Sequence, residues 1–267
     1  VTLATNMTVR NGHILYIDNG LTLSGGAKVI LDSSGSNTYV YIKGTGQQTI
    51  GGTGSIEFTG SGVGQFRNVT NLDAAGLTLG SGVTVNANAG GFFWNITTPW
   101  SMGGAFNVNA PGSAVYTDFT GRTAGAGASV NVQAGTLRIR HPGGTLTGTM
   151  SVAAGATIES NGTAASLLGA GFVVTGAGRL DNVSNFGVTI DDMANNSLVF
   201  VSSGAGGVNF DRSINIGGLE ISNGIVNGAG RVEVSGDLIL SGGSLAVAGG
   251  VTVAGAGSRW TGGTLTA

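Results

Sequence analysis

A short unit recurs along this chain: a strand-like stretch, a glycine corner, then a second strand-like stretch. FNVNAPGSAVY from Phe106, VNVQAGTLRIR from Val130 and MSVAAGATIES from Met150 repeat it at intervals of 24 and 20. LEISNGIVNGAG from Leu219 and LILSGGSLAVAGG from Leu238 repeat it at an interval of 19, and LTLSGGAKVIL from Leu21 aligns with LTLGSGVTVNA from Leu77. Within each unit the apolar residues alternate, as in Leu21/Leu23, Val83/Val85 and Val130/Val132, with Thr, Ser, Asn or Gln between them. Period two gives each strand one apolar face. Apolar spacing of three and four never persists, and glycine interrupts each window where a helix could start.

Short strands build sandwiches, propellers or solenoids. The unit is too short for a propeller blade, which takes about 40 residues. Asn-Gly turns of the kind that close hairpins are few. Corners of the Gly-Ala-Gly, Gly-Ser-Gly and Gly-Gly type dominate instead, where the backbone can take positive φ at little steric cost. The fold expected is therefore all-β: a single parallel β-solenoid domain over residues 1–267, with coils of roughly 19–24 residues. Such a chain makes about 12 coils, each adding one strand spacing of about 4.8 Å.

Composition agrees. Glycine is 52 of 267 residues, yet 41% of the chain is hydrophobic and only 9% charged, which separates it from disordered glycine-rich chains. A net charge of −2 with no basic patch argues against nucleic acid as a partner. No apolar run reaches the roughly 18 residues of a membrane span. Cysteine is absent, which excludes disulfides and thiolate chemistry and suits an exported protein. The chain opens in strand-like alternation at VTLATNMTV, as expected of a processed protein or an excerpt of a longer one.

NGLTLSGGAKVIL, YIKGTGQQTIGGTGSIEFTGSG and LILSGGSLAVAGGVTVAGAGSRWTGGTLTA resemble the repeats of large secreted bacterial surface proteins. These are the adhesins of the filamentous-haemagglutinin and autotransporter-passenger class. The resemblance covers about 1–75 and 219–267 well and the middle by pattern alone. It implies a right-handed β-helix, extracellular or at the cell surface, acting as a stalk, fibre or adhesin segment. Surface polysaccharide or a host or neighbouring cell would be its partner. It supplies no catalytic residues and no cofactor.

Candidate chemistry is sparse. His13 and His141 have no second ligand at metal spacing and read as turn histidines. No G-x-S-x-G elbow supports a nucleophilic serine. GSGVGQ at 60–65 and GAGRLD at 176–181 open no helix that could hold a phosphate. GGTGSI at 51–56 lacks the aspartate of calcium-binding nonapeptides.

Three features remain. Asp192, Arg212 and Arg231, at intervals of 20 and 19 with Asp181, Asp191 and Asp211 nearby, can stack as a surface charge ladder. The alternative is the acidic and basic face of a polysaccharide-cleaving β-helix enzyme. Threonine in LTL and VTV offers a second alternative, an ice- or surface-binding array, which would need constant register. Last, GGFFWNITTPWSMGG brings Phe92, Phe93, Trp94 and Trp100 close together, in a chain with 17 aromatics in all. Partial core is expected there, with Trp94, Trp100 and Phe93 as candidate contacts for a ligand or partner and Trp100 the most exposed. No terminal stretch looks like a cap, so assembly with further copies, end to end or laterally, is also expected.

Overall fold

The structure is a computed structural model that describes residues 1–61, 66–93, 100–118, 128–140, 144–162, 164, 166–191 and 196–266. Among these residues there are strands and turns and no helix. The strands stack in parallel, each pairing with the strand one coil on, as in Ile56 with Val85 and Val85 with Phe106. The chain is a parallel β-solenoid of about 10 turns. It divides into two compact units, Val1–Arg138 and Ile139–Ala267.

In the first unit each coil has three walls. One wall stacks Met7–Arg10 on the second half of Leu21–Asp32, then on the end of Gln47–Thr59, then on Val83–Ala87 and the start of Ala105–Asp118. A second stacks Ile14–Asp18, Thr38–Lys43, Arg67–Asn71, Gly91–Phe93 and the end of Ala105–Asp118. The third runs through Thr2–Leu3, the start of Leu21–Asp32, Gln47–Ile50, Gly76–Leu79 and Trp100–Met102.

Alternation decides which side chains enter. Thr38, Val40 and Ile42 point in, while Tyr39, Tyr41 and Lys43 point out. Inward residues form columns such as Val9–Leu31–Phe58–Ala87–Val108, buried throughout. Phe58 sits beneath Ala87, so large and small residues share the narrow interior. Each buried Val, Leu or Phe contributes about 1.5–3 kcal/mol over an exposed one.

The second unit repeats the plan with inward columns such as Ile158–Leu180–Phe200–Leu219. Its coils are the shorter ones: Ile214 pairs with Val232 at an interval of 18, and Gly148 with Phe172 at 24. In the first unit the interval runs from 20, at Thr2 with Thr22, to 29, at Ile56 with Val85. Most intervals fall in the expected range of roughly 19–24; the early coils of the first unit exceed it, at 25–29, and the turns number about 10 rather than 12. The corners absorb the difference while the strands hold register.

Glycine is obligatory where a corner meets the coil below. At Gly52 φ is +84°, and an added Cβ would lie 1.9 Å from the Leu23 carbonyl oxygen.

Candidate functional site

The aromatic cluster around Phe93 and Trp100 is core. Phe93 is 0% and Trp100 2% exposed. Phe93 meets Trp100 at 5.2 Å and Phe106 edge-on at 5.4 Å between ring centroids. The sequence offers Phe93 and Trp100 as exposed contacts, and the structure corrects this. Trp100 continues the inward column Gln48–Leu77, and its indole N–H donates to the Asp118 carbonyl at 2.8 Å. With that donor satisfied inside, no polar atom draws the ring to the surface. Trp94 and Pro99 lie outside the described residues.

The outward rings belong to the second wall of the first unit, and apart from Phe92 the sequence does not single them out. Tyr16 and Tyr39 each meet Tyr41, at 5.6 and 5.7 Å, with Lys43 Nζ 5.4 Å over the Tyr16 ring. Phe66 meets Phe92 at 5.1 Å, Phe92 stacks on Tyr116 at 4.5 Å, and Arg138 lies 5.0 Å over Tyr116 while donating to its hydroxyl at 2.8 Å. All four tyrosines of the chain stand on this wall. Each ring pair contributes about 0.5–1.5 kcal/mol beyond its buried area. No constant period reveals the column: Tyr39 pairs with Asn68 at an interval of 29, and Asn68 with Phe92 at 24.

The neighbouring wall carries a polar ladder. Lys28 Nζ bonds Glu57 at 2.8 Å, and the Ser55 hydroxyl donates to Glu57 at 2.9 Å. Above it Asn107 donates to Asn86 at 2.9 Å, and Asn131 to Asn107 at 2.8 Å. Burial works against the Glu57 carboxylate, but the hydrogen bonds from Lys28, Ser55 and Asn86 outweigh it and hold its pKa below the usual value.

Between these two walls a corner opens into a cleft of about 500 Å³, lined by Ser61, Phe66, Asn88, Gly90, Ser113 and Tyr116 among others. Arg67 lies at its base but is only 2% exposed. Its guanidinium is turned inward and donates to the carbonyls of Thr59 at 2.6 Å, Gly60 at 2.8 Å, Gly90 at 3.3 Å and Ser33. Arg67 holds an inward position, in register with Thr38. Nothing in the sequence marked it.

The charge ladder of the second unit is not one continuous feature. Arg212 reaches Asp191 at 3.4 Å, while Arg231 reaches Glu233 at 3.4 Å and Thr252 at 3.0 Å. Asp192 lies outside the described residues. The arginine side chains are 65% and 55% exposed and serve separate partners.

A tighter group stands on another face. Arg179 donates from two nitrogens to both oxygens of Glu220, at 2.8 and 2.6 Å, spanning two coils. Asp181 accepts from the Ser203 hydroxyl at 2.6 Å and is in register with Glu159. Burial raises the Asp181 pKa; the hydrogen bond from Ser203 opposes this, and repulsion from Glu159 and Glu220 adds to it. The hydrogen bonds from Arg179 lower that of Glu220.

Among the described residues no three His, Cys, Asp or Glu side chains are placed to hold a metal ion. His13 Nδ1 lies 2.8 Å from the Arg10 carbonyl in an exposed turn, and His141 is outside the described residues. Residues 176–181 form a corner leading into the strand Arg179–Asn182, whereas 62–65 of the other glycine-rich loop are not described. Thr49, Thr78 and Ser101 stack in register, a row one residue wide. Among the described residues no helix is long and apolar enough to cross a membrane. No protein-family model, curated protein or solved structure matches the chain.

Proposed function

We propose that this chain is a segment of an extracellular, non-enzymatic β-solenoid that serves as a stalk or adhesive surface. One observation carries the reading: rows of outward side chains in the first unit are engaged with the next coil. The Lys28–Glu57 bridge, the Asn86–Asn107–Asn131 ladder and the cation-capped ring stacks are contacts between coils. Walls of this kind give a repeat protein stiffness and a persistent surface. The bacterial surface repeats that the sequence resembles point the same way.

Antibody labelling of intact cells of the native source tests this. Labelling without permeabilisation is expected, and labelling only after permeabilisation overturns the proposal. A second reading, a polysaccharide-cleaving enzyme, is favoured by one feature, the raised pKa of Asp181 beside Glu159 and Glu220, which is what a proton-donating carboxyl requires. Release of reducing or unsaturated ends from polysaccharide, abolished by Asp181→Asn, would establish it in place of the first.

A further inference from the structure

Five Asn-Gly pairs occur in the chain, at 11–12, 19–20, 161–162, 223–224 and 227–228. In such a pair the glycine nitrogen can attack the asparagine side-chain carbon, because glycine has no Cβ to block the approach. The fold decides whether that nitrogen and that amide are free to react.

Asn11 is held at both ends. Its side-chain amide is bonded to Ser34 and Gly35 of the next coil, and the Gly12 nitrogen donates to the Asn37 carbonyl at 2.7 Å. Asn227 sits within the strand Ile225–Gly228, paired with the coil above. Asn223 is arranged otherwise. It is exposed at a corner where the next residue, Gly224, takes φ +69°. The Gly224 N–H donates to Asn223 Oδ1 at 2.8 Å, so the side-chain carbon lies one bond beyond that contact. Asn223 Nδ2 has no hydrogen-bond partner among the described residues, so nothing opposes rotation of the amide or departure of its nitrogen. The Ser202 hydroxyl donates at 2.8 Å to the Asn223 carbonyl, the oxygen of the peptide unit whose nitrogen must attack. A donor fixed at that oxygen stabilises the negative charge that develops when the nitrogen loses its proton.

The geometry points to Asn223 as a self-modification site promoted by the fold, reacting through a succinimide with water as the only co-reactant. The Gly224 nitrogen gives up its proton and bonds to Asn223 Cγ. The Cγ–Nδ2 bond breaks, and the side-chain nitrogen leaves as ammonia with that proton. Water then opens the ring. Breaking the new N–Cγ bond leaves aspartate, whereas breaking the bond to the main-chain carbonyl leaves isoaspartate, with the chain running through Cβ. No oxidation state changes. Either product adds a negative charge to the corner. Isoaspartate also adds a backbone atom beneath Gly243, which packs so closely that a Cβ on it would lie 2.8 Å from the Asn223 carbonyl carbon. The neighbouring coil contact, from the Ser244 nitrogen to the Gly224 carbonyl at 2.9 Å, is the one most directly displaced.

Ageing the full chain at neutral pH tests this, with digestion under mildly acidic conditions and fragmentation mass spectrometry to follow each Asn-Gly pair. Asn223 should convert at least about tenfold faster than Asn11, whose glycine nitrogen must first leave Asn37. In urea the two rates should converge, because the contacts that distinguish them are gone. Ser202→Ala should slow Asn223 by about three- to tenfold, the worth of one hydrogen bond, and Ser202→Thr, which keeps a hydroxyl, should restore the rate.

An intact Asn223 in the aged chain, conversion no faster than that of Asn11, or a preference that persists in urea overturns the site. Wild-type speed in a folded Ser202→Ala chain overturns the part given to its hydroxyl. Should that variant not fold, the comparison with Asn11 in the native and unfolded wild type still decides. The measurement needs neither ligand nor cell, so its outcome is independent of the function proposed above.

Discussion

Arg67→Met removes a buried guanidinium while keeping much of the length of the side chain. In the native protein this group ties the corners of three coils, through Ser33, Thr59 and Gly60, and Gly90. Burial lowers its pKa and the nearby Asp32 partly restores it, yet an arginine stays charged at any working pH. Methionine leaves those carbonyls without their donor. Three of the bonds are only part-buried, so water reaches their carbonyls after the change. The Ser33 carbonyl belongs to a residue that is 0% exposed and stays without a substitute. One orphaned buried carbonyl costs about 1–3 kcal/mol. Relief from burying a cation offsets part of the loss, but four carbonyls already stand in for its water. A net destabilisation of about 1–2 kcal/mol is expected, which lowers the urea midpoint by about 0.5–1 M. Fluorescence of Trp100, buried in the same unit, follows the transition. Arg67→Lys keeps the charge but carries three donors on one nitrogen, and should fall between the two. An Arg67→Met variant whose midpoint matches wild type would show that the guanidinium does not hold these corners together.

Asp181→Asn should stabilise the second unit at neutral pH. A raised folded pKa gives stability that is full below the unfolded value and is lost as pH rises through the folded one. Thermal melts from about pH 3 to 8 should show the variant losing that acid-side gain and surpassing wild type above it; identical profiles would refute the shift. Glu220→Gln behaves oppositely, because a lowered pKa gives stability present above the unfolded value and lost on acidification. The partly exposed pair limits its effect to about 1 kcal/mol, and a loss that persists in acid would point to packing instead. Gly52→Ala should cost several times more than Gly250→Ala. Both have positive φ, worth about 1–2 kcal/mol for alanine, but Gly250 faces open space while Gly52 meets the Leu23 carbonyl. Equal melting points would mean that backbone conformation, not close approach, dominates.

The aromatic residues show where sequence reasoning held and where it stopped. Alternation correctly places Phe92 and Phe93 on opposite faces, because successive side chains on a strand point opposite ways. It does not say which face is inside, which is why Phe93 and Trp100 read as contact candidates in the sequence. Stacking on Leu77 decides that Trp100 is core. Arg212 meets Asp191, which the sequence offers only as a neighbour of the charge ladder.

By itself the sequence determined an all-β chain wound as parallel coils. Alternation and positive-φ corners are local properties, set within a few residues by steric and apolar preference. Only the tertiary structure decided which residues become vertical neighbours. Tyr39, Asn68, Phe92 and Tyr116 share a column across intervals of 29, 24 and 24. Arg67 points inward. Register accumulates over every preceding corner, so each such placement depends on lengths and packing that no single stretch of sequence contains.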